Sequence, residues 1–290
     1  MKISFRTDRN LRKLFFIYQL GAPGAITREM WEYPSLFGER LENSVKIYNR
    51  YIRSKRYENK VWYALTSNNN PKIISQEEYS NLLRLLAGVR GNLLEDNDPS
   101  FRKLSSGIGK EYKKNAERIE KHVMAVFGFK MPKSATIILS ENWSPGSVNG
   151  GAMSSNKKNY SVIFGMGIGE QHRSDFKIIL GVFVHEILHK AIDMNGTLKE
   201  EKPGQRGREQ FEEAVLDYFV PDGILSQKIG LVDQIEIEDC KRKMDRNRPD
   251  SKEISDRLLE PIREYYKSYG KETIWKFLAK RGFAEYINQK

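Results

Sequence analysis

The pentapeptide His185-Glu186-Ile187-Leu188-His189 holds the residues best suited to chemistry. On a helix, residues four apart lie one above the other, so both imidazoles face the same way and can grip one ion. Glu186 projects to a neighbouring direction, where it can reach a water on that ion. Two imidazoles and an adjacent carboxylate form a set that lets zinc activate water for hydrolysis. The chain has four histidines, and two of them fall in this motif. Residues 175–194 around it are apolar on nearly every side (Ile179, Leu180, Val182, Phe183, Ile187, Leu188), which reads as a buried core helix. Two imidazoles and a carboxylate there need a partner. A metal would satisfy them; a structural histidine pair is the alternative.

A third ligand must come from another element. Residues 208–220 read as a helix stopped by Pro221, with Glu213 and Asp217 one turn apart among Phe211, Ala214, Val215, Leu216, Tyr218, Phe219 and Val220. Acids in that company also call for partners. Glu209 and Glu212 are rivals to Glu213, since either reaches the ion if the helix is rotated. Glu212 has Leu216 four residues on and so lacks a supporting acid, whereas the acid beyond Glu209 is Glu213 itself. A solvated acidic face is the remaining reading.

HExxH followed by Glu213-Ala214-Val215-Leu216-Asp217 resembles the gluzincin branch of the zincin metallopeptidases, the thermolysin-like plan, over residues 135–220. The resemblance implies one zinc per chain held by His185, His189 and Glu213, with Asp217 orienting His185. It also implies an edge strand beside the cleft for binding extended peptide. Residues 160–165 are the candidate for that strand, an interior strand being the alternative. A weaker similarity, to regulatory zinc peptidases of the ImmA/IrrE type, rests on Glu213-Ala214 and the apolar run ending in Pro221. Val215 stands where that family has Asn. The metzincin pattern is disfavoured, because Ile192 and Asn195 occupy its Gly and third His positions.

The chemistry expected is zinc-dependent hydrolysis of a peptide or protein substrate, with Glu186 as general base. An oxyanion donor is also needed. His172, Tyr218, Arg263, Tyr265 and Tyr266 are the candidates, with an ordinary loop histidine as the plainer reading of His172. An inactive zincin used as a scaffold is disfavoured by the presence of Glu186.

The elements that must position these residues predict an α+β fold. Its zincin-like core is a small mixed sheet plus the HExxH helix, with mainly helical N- and C-terminal parts. In residues 1–95, Asp8 can cap a helix to Leu20, and Thr27 a short turn. Apolar spacing predicts a helix over 35–52, and Ser75 with Glu78 makes a capping box for a helix through Leu86. Residues 91–100 read as a linker, and residues 100–290 as the catalytic domain. There, 110–127 reads as a helix and 135–139 as a strand. A long loop spans 142–159. Residues 160–164 form a second strand that Gly165, Gly167 and Gly169 end. Ser174 then caps the HExxH helix and Asn195-Gly196 closes it. Residues 251–270 and 271–279 read as two further helices, the first bent or started at Pro261.

A net charge of +11 suggests nucleic acid as an alternative partner, through basic clusters at 50–60 and 241–248, though no nucleic-acid motif occurs. A solvated basic surface is the preferred reading of the charge, because the basic residues are spread along the chain and interleaved with acids. Cys240 is the lone cysteine, so neither an intrachain disulfide nor a cysteine-rich zinc site can form. It fits a reducing compartment. No run approaches a membrane span, and residues 14–20 read as a helix face rather than a signal peptide. A cytoplasmic protein is the expectation.

Overall fold

The computed structural model describes residues 1–8, 11, 12, 15, 77, 80, 99–141, 146–199 and 207–288. Among them the fold is α+β, with four strands and seven α-helices. In chain order they are β1 (Lys2–Arg6), α1 (Pro99–Phe127), β2 (Ser134–Glu141), β3 (Val148–Asn156) and β4 (Ser161–Ile168). Helices α2 (Phe176–Asn195), α3 (Arg208–Asp217), α4 (Ile224–Ile229), α5 (Ile237–Asn247), α6 (Lys252–Lys267) and α7 (Ile274–Leu278) follow. Leu11, Arg12 and Phe15 are helical, and the Arg12 N–H donates to the Asp8 carbonyl at 2.9 Å, consistent with a helix entered at Asp8. Glu77 and Ser80 are also helical. The rest of the helices expected before residue 95, and the basic cluster at 50–60, lie outside the described residues. No helix among those described is long and apolar enough to cross a membrane.

The chain divides into two compact units. The first comprises Lys2–Gly107 and Ser134–Ser174 and contains the sheet. Its strand order is β1-β2-β4-β3, with β1, β2 and β4 parallel and β3 antiparallel to β4. Strand β4 is therefore interior, paired on both sides. That corrects residues 160–165 as an edge strand; among the described residues the edges are β1 and β3. Strand β4 also runs through Gly165 and Gly167, which were expected to end it. The reason is packing: the Phe15 ring lies where a Cβ on Gly165 would sit, 2.1 Å from its nearest carbon. A glycine here admits an aromatic against the sheet and leaves the ladder intact. Strand β3 falls inside the stretch read as a loop. Its sequence, VNGGAMSSN, lacks the β-branched alternation that marks a strand, and its pairing comes from β4.

The second unit comprises Met1, Ile108–Lys133 and Asp175–Lys290. Within it α1 buries Ile108, Tyr112, Ile119, Val123 and Val126, a stripe at helical spacing. Tyr112 meets Phe183 of α2 edge to face, with centroids 5.5 Å apart. Helix α1 begins at Pro99, so the expected linker ends earlier than its composition suggested. Helix α2 is buried from Ile179 to Leu188 and again at Ala191 and Ile192, as its apolar circumference predicts. Asp175, not Ser174, is its N-cap, and the Asp175 carboxylate accepts from the Ile178 N–H at 3.2 Å. Gly196 closes it in the left-handed conformation, φ 57°, its N–H reaching the Ile192 and Asp193 carbonyls. Helix α3 ends at Asp217 rather than Val220. The chain then turns, the Ile224 N–H donating to the Tyr218 carbonyl at 2.9 Å. Phe219, Phe127 and Tyr265 stack edge to face in the core beneath this turn. Helix α6 continues through Pro261 as one element.

Candidate metal centre

Helix α2 presents His185 and His189 on one face, and α3 presents Glu213 toward them. The two Nε2 atoms are 3.0 Å apart, and Glu213 Oε2 is 3.4 Å from each. Three ligating atoms thus form a compact triangle. A tetrahedral ion bound at about 2.0–2.1 Å requires ligand atoms roughly 3.3 Å apart, which is the spacing found. Glu213 Oε2 is buried and receives no well-formed hydrogen bond, although Arg248 Nη2 approaches to 2.8 Å. Two imidazole nitrogens face each other at a distance where at most one carries a proton. Lone pairs converging this way fit a cation at their centre, and the nitrogen–oxygen donor set fits zinc.

Electrostatics point the same way. Burial pulls the pKa of His189 down, but Glu213 and Glu212 override it and hold it well above the ordinary imidazole value. Burial likewise opposes the His185 charge, and Glu213 raises its pKa nonetheless. Glu213, despite a burial cost, is kept well below the ordinary carboxylate range by the two imidazoles. The cluster is a place where positive charge is stabilised. Glu186 is buried beside it, and burial raises its pKa against the pull of His185, His189 and Arg248.

The groups around the triangle differ for the two histidines. His189 Nδ1 is 2.7 Å from Glu212 Oε1. His185 Nδ1 lies 3.4 Å from the Val220 carbonyl and 3.8 Å from Asp217 Oδ1, the latter beyond hydrogen-bond range. Asp217 instead accepts from Arg248 Nε at 3.0 Å. Arg248, just past the end of α5, therefore ties Glu213 to Asp217. Of the rival ligands, Glu209 is exposed on α3, and Glu212 touches His189 from the ring edge opposite Nε2.

The expected oxyanion donors are committed to other partners. The Tyr218 hydroxyl is buried and donates to the Ser255 carbonyl at 3.2 Å. The hydroxyl of Tyr265 donates to the Glu272 carbonyl at 3.0 Å and that of Tyr266 to Gln227 Oε1 at 2.7 Å. Arg263 pairs with Glu238 and Glu260. His172 belongs to the sheet unit, with Nε2 3.1 Å from the Gly146 carbonyl oxygen. The cationic group at the cluster is Arg248, which sequence reasoning placed in a basic run. That run is largely neutralised locally: Lys241 pairs with Asp245 and Asp256, Arg242 with Asp239, Lys243 with Asp222, and Arg248 with Glu213 and Asp217. Compared with protein-family models, curated proteins and solved structures, the chain matches none of them.

Proposed function

We propose that this protein is a zinc-dependent peptidase with a zincin-like, gluzincin-type catalytic core. The observation that carries the reading is the triangle of His185 Nε2, His189 Nε2 and Glu213 Oε2, with Glu186 buried next to it. Zinc held there would supply a water acidified toward neutrality and an electrophile for the scissile carbonyl. With a metal held there, Glu186 would be the buried carboxylate placed to take a proton from the attacking water and return it to the departing amine. Arg248, ion-paired with Asp217 and Glu213, is the cationic side chain that the described residues bring to the cluster, and we assign it to the negative charge that develops on the carbonyl oxygen. The buried face of α2, with Phe211, Ala214, Val215 and Leu216 of α3, places these groups in a medium of low polarity.

The substrate is a peptide or protein. The alternative of a nucleic-acid partner rests on the net charge and on basic clusters, of which 241–248 is largely paired with nearby acids. The test is hydrolysis of a peptide library by the zinc-loaded protein and by Glu186→Gln. The proposal predicts loss of hydrolysis in the variant with zinc retained. Undiminished hydrolysis by Glu186→Gln would sink the mechanism.

A further inference from the structure

Two consecutive glutamates hold one imidazole from opposite edges. Glu213 Oε2 lies 3.4 Å from His189 Nε2, and Glu212 Oε1 lies 2.7 Å from His189 Nδ1. Glu212 is 7% exposed, and its second oxygen is 3.8 Å from Arg208 Nη2. The same Arg208 nitrogen is 2.7 Å from Asp193 Oδ1. His189 and Asp193 stand one turn apart on α2, as Arg208 and Glu212 do on α3. The four form a ladder, His189–Glu212–Arg208–Asp193, that crosses twice between the ligand-bearing helices.

We propose that Glu212, braced by Arg208, is a positioning residue for the metal: it fixes the ring of His189 so that Nε2 points at the ion. The inference rests on the metal-binding reading above. An imidazole that donates Nδ1–H to a carboxylate must present an unprotonated Nε2 to a metal, and its ring cannot turn without breaking that bond. His185 has, at the corresponding nitrogen, a longer contact to a backbone carbonyl and a carboxylate beyond hydrogen-bond range. The two ligands are therefore supported unequally, and the stronger support falls on His189. The same ladder docks α3 on α2, so it also sets where Glu213 arrives. Neither the acid-less position of Glu212 along its own helix nor the usual role of a supporting residue four beyond the ligand points to this contact; it arises across helices.

The experiment is a zinc dissociation constant from chelator competition, with the visible spectrum of the cobalt-loaded protein as a second readout. Glu212→Ala is expected to bind zinc roughly 10–100-fold more weakly and to shift the cobalt bands. Glu212→Gln, whose amide oxygen can still accept from Nδ1, is expected to recover most of the affinity. If Glu212→Ala fails to fold, Glu212→Met, similar in volume and unable to take the carboxylate's role, gives the same reading. Wild-type affinity and an unchanged cobalt spectrum in a folded Ala or Met variant would overturn the proposal while leaving the metal site standing. A wild-type protein that binds no zinc would overturn the metal-binding reading, and this proposal with it.

Discussion

Pro221 lies so close to Gly181 that a Cβ on the glycine would stand 2.9 Å from the proline carbonyl oxygen and 2.9 Å from its Cβ. Gly181 is one turn before His185, and the Val220 carbonyl preceding Pro221 is 3.4 Å from His185 Nδ1. One backbone segment therefore packs on the helix and faces the first histidine of the cluster. Glycine to alanine inside a helix ordinarily stabilises by about 1 kcal/mol. Here the sign reverses, because the obstructing atoms are backbone and ring rather than a flexible side chain. Gly181→Ala is expected to destabilise by about 1–3 kcal/mol in thermal or denaturant unfolding and to weaken zinc binding. A stabilised variant with unchanged affinity would contradict this packing.

Arg248 and Tyr218 separate a group at the site from one beside it. Arg248→Gln is expected to lower kcat by roughly 10²–10³-fold with zinc still bound. Tyr218→Phe loses a buried hydrogen bond to the Ser255 carbonyl and should cost about 1 kcal/mol of stability, with kcat little changed. Steady-state kinetics on both variants decide the matter. The reverse pattern would return the oxyanion role to Tyr218.

The end of α5 that carries Arg248 is anchored three residues earlier, at Asp245. Its carboxylate takes a hydrogen bond from Ser255 at 2.7 Å and pairs with Lys241 at 2.5 Å. Burial works against its charge, but Lys241 and Ser255 prevail and hold its pKa below the ordinary 3.8. A carboxylate with a lowered folded pKa contributes stability that is present above the unfolded value and lost as pH falls through the folded one. The stability gap between wild type and Asp245→Asn should thus be present at neutral pH, about 0.5 kcal/mol once solvent screening is counted, and close on acidification below about pH 4. Melting curves across pH test this. A gap that widens in acid would contradict it.

The two histidines were legible because their signal is local. A four-residue spacing on a largely apolar helix can be read without knowing how the chain folds, whereas Glu213 stood beside Glu209 and Glu212 on its helix and was singled out only by the gluzincin resemblance. The residues that support them were not legible in this way. Glu212 meets His189, and Arg248 meets Glu213 and Asp217, only through the docking of α3 on α2 and the placing of the α5 terminus. The sheet shows the same division. Strand β2 was evident from its β-branched run, whereas β3 is polar and glycine-rich and β4 passes two glycines that local rules read as a stop. In each case a neighbour, Phe15 or the adjacent strand, decides what the local pattern leaves open.

Metal analysis of the purified wild type beside Glu213→Ala and Glu209→Ala decides whether an ion sits between α2 and α3. The structure puts Glu213 Oε2 at the triangle with both histidines and Glu209 on the exposed side of the same helix. One zinc per chain is expected in the wild type and in Glu209→Ala, and loss of tight binding in Glu213→Ala. A wild type without zinc, or equal retention in Glu213→Ala, would contradict the proposed metal site.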